Sequence, residues 1–196
     1  MDGEPQQPAG EEHPRASDRT RAGPRPEGEP PSVSQPLFDE IRNHEGFRAR
    51  RSRLGRQAGS GRLGLSLWEL ADGEAAYPYH YHLTEEELVV VLDGRPTLRT
   101  PQGLRDLGEG EVVSFPRGDG GAHQLLNRSG ATVRFLAFST NGDPDVVVYP
   151  DSGKVGSFER RPGGGGHEML HRIADAVDYY DGERPPPPAP PSQPGS

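Results

Sequence analysis

Through the middle of the chain, short apolar runs alternate with polar positions, and each run stops at a Gly-, Pro- or Asp-rich break. Leu63-Gly64-Leu65-Ser66-Leu67, extended by Trp68 and Leu70, alternates with a period of two and predicts a half-buried strand. Further strands are predicted near Glu87–Leu92, Pro96–Thr100, Leu104–Leu107, Glu111–Phe115, His123–Asn127, Thr132–Ser139 and Asp145–Tyr149. Turn signals such as Asp93-Gly94, Gly108-Glu109-Gly110 and Asn141-Gly142-Asp143-Pro144 separate them. Many short strands at this spacing, with no long helical pattern between them, imply an all-β sandwich or barrel. Leu37 to Ile41 forms the first apolar cluster, a helical turn or a strand packed on the domain. One helix is expected late, over 167–177, where Met169, Leu170, Ile173, Ala174 and Val177 are spaced for one apolar face. Gly163 to Gly166 form a flexible link into it.

Composition divides the 196 residues into zones. Residues 1–36 are polar, rich in Pro, Gly, Glu and Arg, and without apolar periodicity, so a disordered tail is expected. An all-β domain follows over 37–158, then the Gly linker and short helical or docking segment over 159–183, then a Pro-rich disordered tail over 184–196. A scaffold role for that tail as a polyproline ligand is one alternative to an activity in the domain. The chain has no cysteine, which excludes disulfides, thiolate metal sites and cysteine nucleophiles and agrees with a cytoplasmic location. The N-terminus carries no apolar signal region, and no apolar run approaches the ~20 residues that span a bilayer, so no membrane partner is expected. A formal charge of -8 argues against nucleic acid. The local exception is Arg48, Arg50, Arg51, Arg53 and Arg56, which reads either as an anion or nucleic-acid patch or as the solvated face of an edge strand; the second is the expectation.

The candidate chemistry lies in Tyr79-His80-Tyr81-His82-Leu83-Thr84-Glu85-Glu86-Glu87. On a strand His80 and His82 share a face, about 7 Å apart, and two imidazoles so placed can share a metal ion with a nearby carboxylate. Glu87 lies at odd offsets from both and joins them only if the chain turns between Leu83 and Glu86. A second block, Gly110-Glu111-Val112-Val113-Ser114-Phe115-Pro116-Arg117-Gly118-Asp119-Gly120-Gly121-Ala122-His123-Gln124-Leu125-Leu126-Asn127, follows downstream.

With both blocks in view, the chain resembles the cupin superfamily, whose motifs are written G-x5-H-x-H-x3/4-E-x6-G and G-x5-P-x-G-x2-H-x3-N. His80, His82, Glu87 and Gly94 fit the first, with Gly73 one residue farther from His80 than the pattern asks. Gly110, Pro116, Gly118, His123 and Asn127 fit the second, with two extra residues between Gly118 and His123 that require an enlarged turn. The resemblance runs from about Leu63 to Ser139, and Asp145 to Lys154 and Asp175 to Glu183 look like features of a bacterial branch of small single-domain cupins. It implies a cupin double-stranded β-helix, the jelly-roll barrel, and a divalent transition metal (Mn, Fe, Ni, Co or Zn) held by His80, His82, Glu87 and His123. Glu86 is the rival carboxylate. The implied activity is that of a metal-dependent enzyme on a small oxygen-bearing molecule, of oxygenase, decarboxylase, or isomerase or epimerase type. The alternative is a non-catalytic cupin that binds a small molecule as sensor or carrier. A homodimer is expected by the same resemblance. Tyr77, Tyr79, Glu85, Glu86 and Arg99 are the thin supply of acid-base candidates; Tyr81 and Gln124 alternate away from the site.

Overall fold

In the computed structural model, residues 28–159 and 166–185 are described. Residues 1–27 of the tail expected over 1–36, residues 160–165 with most of the Gly163–Gly166 link, and residues 186–196 of the Pro-rich tail expected over 184–196 lie outside them.

Strand order follows from the pattern above. The strands are β1 (Glu40–His44), β2 (Phe47–Ser52), β3 (Gly64–Leu70), β4 (Tyr81–His82), β5 (Glu87–Asp93), β6 (Thr97–Thr100), β7 (Gly103–Asp106), β8 (Val112–Phe115), β9 (Gln124–Leu126), β10 (Val133–Ser139), β11 (Asp145–Tyr149), β12 (Lys154–Phe158) and β13 (Glu168–Arg172). A single helical turn, α1 (Leu54–Gln57), follows β2. One sheet has six strands in the order β1-β2-β3-β10-β5-β8; two smaller sheets run β13-β12-β11-β4 and β7-β6-β9. All the strand pairs are antiparallel. The smaller sheets meet through an antiparallel bridge, His80 opposite His123, whose amides and carbonyls are exchanged at 3.1 and 2.8 Å. The chain before His80 continues this pairing, with Ala76 N–H donating to Leu125 O and Asn127 N–H to Glu74 O. The result is an all-β double sheet closed around one core.

That core contains Trp68, Leu70, Val89, Val91, Leu98, Leu107, Phe115, Leu125, Val133 and Phe135, all buried. All but Leu107, which directly follows β7, come from the inward set of an alternating strand, as the pairs Trp68–Phe135 and Phe135–Val91 show. No helix among the described residues is long and apolar enough to cross a membrane.

Two expectations are corrected. Residues 167–177 do not form a helix: Glu168–Arg172 pair residue for residue with β12, and only a 3-10 turn at Ile173–Asp175 follows. An isolated helix of that length is marginal in water, whereas the unpaired edge of β12 offers a full ladder of backbone partners. Met169, Leu170, Ile173 and Val177, spaced for a buried helical face, are exposed. The arginine run is not a uniformly solvated face of an edge strand either. β2 is covered by β1, and although Arg48, Arg50 and Arg56 are exposed, Arg51 and Arg53 turn toward Glu40. The strand simply obeys its alternation.

Glu40 is 1% exposed and takes Arg42 Nε at 2.8 Å, with Arg53 and Arg51 beside it. Burial by itself raises the carboxyl pKa, but the three guanidinium groups outweigh it and hold Glu40 down to about 2. A carboxylate depressed in the folded state stabilises the fold above its unfolded pKa, and that contribution is lost as pH falls through the folded value. Glu40→Gln should therefore cost about 3 kcal/mol at neutral pH. Denaturant titrations should show the gap between variant and parent closing as pH falls from about 4.5 toward 2.

Candidate metal centre

His80 and His82 are inward positions of the segment that runs through β4, and Glu87 is the first residue of β5. The intervening residues make the turn that the odd offset demands. His123 arrives from the other side on the residue just before β9. The two extra residues between Gly118 and His123 are taken up by a 3-10 turn at Asp119–Gly121, entered through Gly118 at φ +87°.

His80, Glu87 and His123 form one donor group, and His82, grouped instead with Glu85 and Asp145, adjoins it through Glu87. Glu87 Oε2 lies 3.3 Å from His82 Nε2 and 3.3 Å from His123 Nε2. The His80 ring centroid is 4.9 Å from that of His82 and 4.8 Å from that of His123. His80, Glu87 and His123 each present one donor atom within 4.8 Å of the others. Glu86, the rival carboxylate, is exposed at the surface and joins no such group.

Each imidazole is fixed by its other nitrogen. His80 Nδ1–H donates to Pro78 O at 2.9 Å, His123 Nδ1–H to Gly121 O at 3.0 Å, and His82 Nδ1–H to Asp145 Oδ2 at 2.7 Å. A carbonyl can only accept, so the proton sits on Nδ1 and the Nε2 lone pair is left to face the cluster. Burial, and then the closeness of the His123 ring, lowers the His80 pKa to about 3, and burial lowers that of His123. Both rings are neutral, as ligands must be. His82 is pulled the other way: burial lowers its pKa, but Asp145 and Glu87 raise it to about 10. Burial raises the Glu87 pKa, yet its histidine neighbours hold it down to about 2, so the carboxylate is ionised.

Two atoms test whether this set suits an ion. His82 Nε2 and Glu87 Oε2 are both buried and have no hydrogen-bond partner. Buried polar atoms are nearly always satisfied, and two orphans facing each other in a nest of imidazoles are what a cation between them would repair. Three imidazoles and a carboxylate fit a divalent first-row metal, with His82 giving up its Nε2 proton to the incoming ion.

The surroundings include residues the linear pattern does not reveal. Asp145, 1% exposed at the start of β11, accepts from both His82 Nδ1 and Thr84 Oγ1, the latter at 2.7 Å. Its sequence signal is faint: an acid opening the apolar run Val146-Val147-Val148. Glu85 is also buried and offers an oxygen within 4.8 Å of His82 and Asp145 donors. Phe115 stacks on His123 with centroids 3.7 Å apart. Tyr77 packs edge-on against Trp68, His80 and His123, with burial and then Glu87 raising its pKa well above the usual phenol value. It is a neutral hydroxyl at neutral pH. Tyr79 and Arg99 belong to the opposite face: Arg99 lies over the Tyr79 ring at 4.0 Å and is gripped by Asp151 at 2.6 and 2.8 Å. Gln124 also turns away from the core but is buried, its Nε2 donating to Tyr77 O at 3.0 Å.

Two substitutions probe this scaffold. Asp145→Asn removes the carboxylate from His82 Nδ1 and should weaken divalent-metal affinity about 10- to 100-fold in a calorimetric titration, with the fold intact. At Gly121 an added Cβ would stand 1.8 Å from Pro116 O, on rigid backbone. Gly121→Ala should displace the turn that holds His123, lowering both thermal stability and metal affinity.

Residues 66–139 match the family model described as the cupin domain. Many solved structures align with the chain, two of them over about two thirds of its length. A candidate sugar phosphate isomerase from Acidithiobacillus ferrooxidans ATCC 23270 is 29% identical, with a TM-score of 0.61, over 68% of this chain and 81% of that one. A cupin-superfamily sugar phosphate isomerase from Silicibacter pomeroyi DSS-3 is 27% identical, with a TM-score of 0.59, over 70% of this chain and 83% of that one. No curated protein matches the chain. The match over residues 66–139 and these alignments show that this part of the chain is similar to the cupin domain.

Proposed function

We propose that this chain is a cupin and a metal-dependent enzyme acting on a small oxygen-bearing molecule, with His80, His82, Glu87 and His123 as the metal ligands. The observation that carries the reading is the pair of orphaned buried atoms, His82 Nε2 and Glu87 Oε2, facing each other at 3.3 Å beside two neutral imidazoles. When bound there, a divalent ion supplies Lewis-acid polarisation of a substrate oxygen. The chain's own residues do the rest. Asp145, Pro78 O and Gly121 O fix the three rings. Tyr77, protonated and packed on His80 and His123, is a neutral hydroxyl close to that centre. Phe115 and Trp68 supply apolar wall.

Among the reaction types compatible with such a centre, isomerisation of a sugar-like substrate is favoured by two solved relatives that align over about two thirds of the chain and carry the name sugar phosphate isomerase. Metal analysis by plasma mass spectrometry should find about one equivalent in the parent protein and little in His82→Ala or His123→Ala. Metal in all three, or in none, would sink the ligand assignment. With metal loaded, a panel of aldoses, ketoses and their phosphates followed by NMR should reveal interconversion that His80→Ala abolishes. Tight binding without product would instead favour the sensor or carrier reading.

A further inference from the structure

The arginines that turn inward are not exhausted by their structural partner. Ala49 lies opposite Leu70 and Arg51 opposite Trp68, and Ala49, Leu70 and Trp68 all belong to the core. Alternation therefore sends Arg51 to the inner face of the barrel, where its guanidinium lies 5.0 Å from the Trp68 ring centroid. From β1, Glu40 lies opposite Arg51 and Arg42 opposite Ala49, so both share that face.

The three guanidinium groups are used differently. Arg42 donates from Nε to Glu40 and from Nη1 to Ala76 O at 2.9 Å. Arg53 donates to Glu40 and approaches Asp39 at 4.0 Å. Arg51 donates only from Nε, to Ser66 Oγ at 2.9 Å; its Nη1 stops 3.6 Å from Glu40. Among the described residues neither Nη of Arg51 has an acceptor within hydrogen-bond range, yet the side chain remains 30% accessible. Burial lowers its pKa to about 10, which still leaves it cationic at neutral pH. An inward-facing, charged fork with free donors is a ready oxyanion holder.

It also shares an interior with the metal centre. Its charge interacts with Glu87, and Tyr77 senses Glu87, Arg42 and Arg51 together. The inner face between them is floored by small residues: Ser66 pairs with Ala137, and Gly64 pairs with Ser139, itself opposite Glu87. Ser66 and Glu87 stand two strands apart and two residues out of row, about 12 Å across the sheet. A short-chain polyol acid bridges that distance.

We propose that Arg51, backed by Arg42, Arg53 and the buried Glu40, holds the anionic end of the molecule whose oxygen-bearing end meets the metal centre. This rests on the metal-enzyme reading and adds the charge of its substrate, a phosphate or a carboxylate.

The test is calorimetry on the full metal-loaded chain with glycerol 3-phosphate, glycerate and glycerol. At least one acid should bind ten-fold or more tighter than glycerol, and the stronger of the two identifies the oxyanion. Arg51→Gln should erase the advantage, Arg51→Lys should keep part of it, and Arg105→Gln, on an exposed strand, should leave it unchanged. Equal binding of all three probes, or an advantage that survives Arg51→Gln, overturns the site. If Arg51→Gln fails to fold, the parent protein and Arg51→Lys decide, through the thermal shift produced by each acid against glycerol. Metal content is measured on the same samples. A parent protein without metal sinks the functional reading alone, whereas metal with charge-blind binding sinks the anion site alone.

Discussion

The fold and the candidate centre both hang on one backbone contact, the antiparallel bridge between His80 and His123. Together with the hydrogen bonds of Ala76 to Leu125 and of Asn127 to Glu74 beside it, it joins the two small sheets. Because directly paired residues of an antiparallel ladder point to the same side, the bridge also aims both imidazoles inward from opposite sheets. The closure of the barrel and the assembly of the donors are thus a single event. A donor set built this way is pre-organised by sheet register and not by loop conformation, the kind of support a precise site requires.

Around that bridge the polar interior is handled in two ways. The histidines direct their Nε2 atoms at Glu87 and one another, each ring held from behind by Pro78 O, Gly121 O or Asp145. The arginines of β1 and β2 cluster about a single carboxylate, Glu40, which is too buried to be ionised without them. Desolvation opposes ionisation at both Glu40 and Glu87, and in both cases neighbouring cations or protonatable rings win. The interior is therefore charged on purpose, at two places facing across small side chains.

Much of this was legible in the sequence. Strands over Leu63–Leu70, Glu87–Leu92 and Thr132–Ser139 were readable because one face of each is buried in a single core, which enforces period-two alternation. The odd offset of Glu87 from the histidines was readable too, since it demands a turn. What could not be read depends on long-range partners. Asp145 reaches His82 across 63 residues. Arg51 and Arg53 looked like surface because nothing local shows that β1 covers their strand or that Glu40 waits beneath. The helix expected over 167–177 failed for the same reason: helical spacing is a local signal, and the open edge of β12 outweighed it.

That last strand has a dynamic consequence. All five residues of β13 are exposed, so it buries little and is held mainly by its ladder to β12. Such an element opens at low free energy, as its own cooperative unit. Amide exchange would be fastest there and slow abruptly at β11, which is clamped between β12 and β4. Asp145, which orients His82, lies on the protected side of that boundary, so the edge of the sheet can fray on its own clock while the ligand geometry stays still.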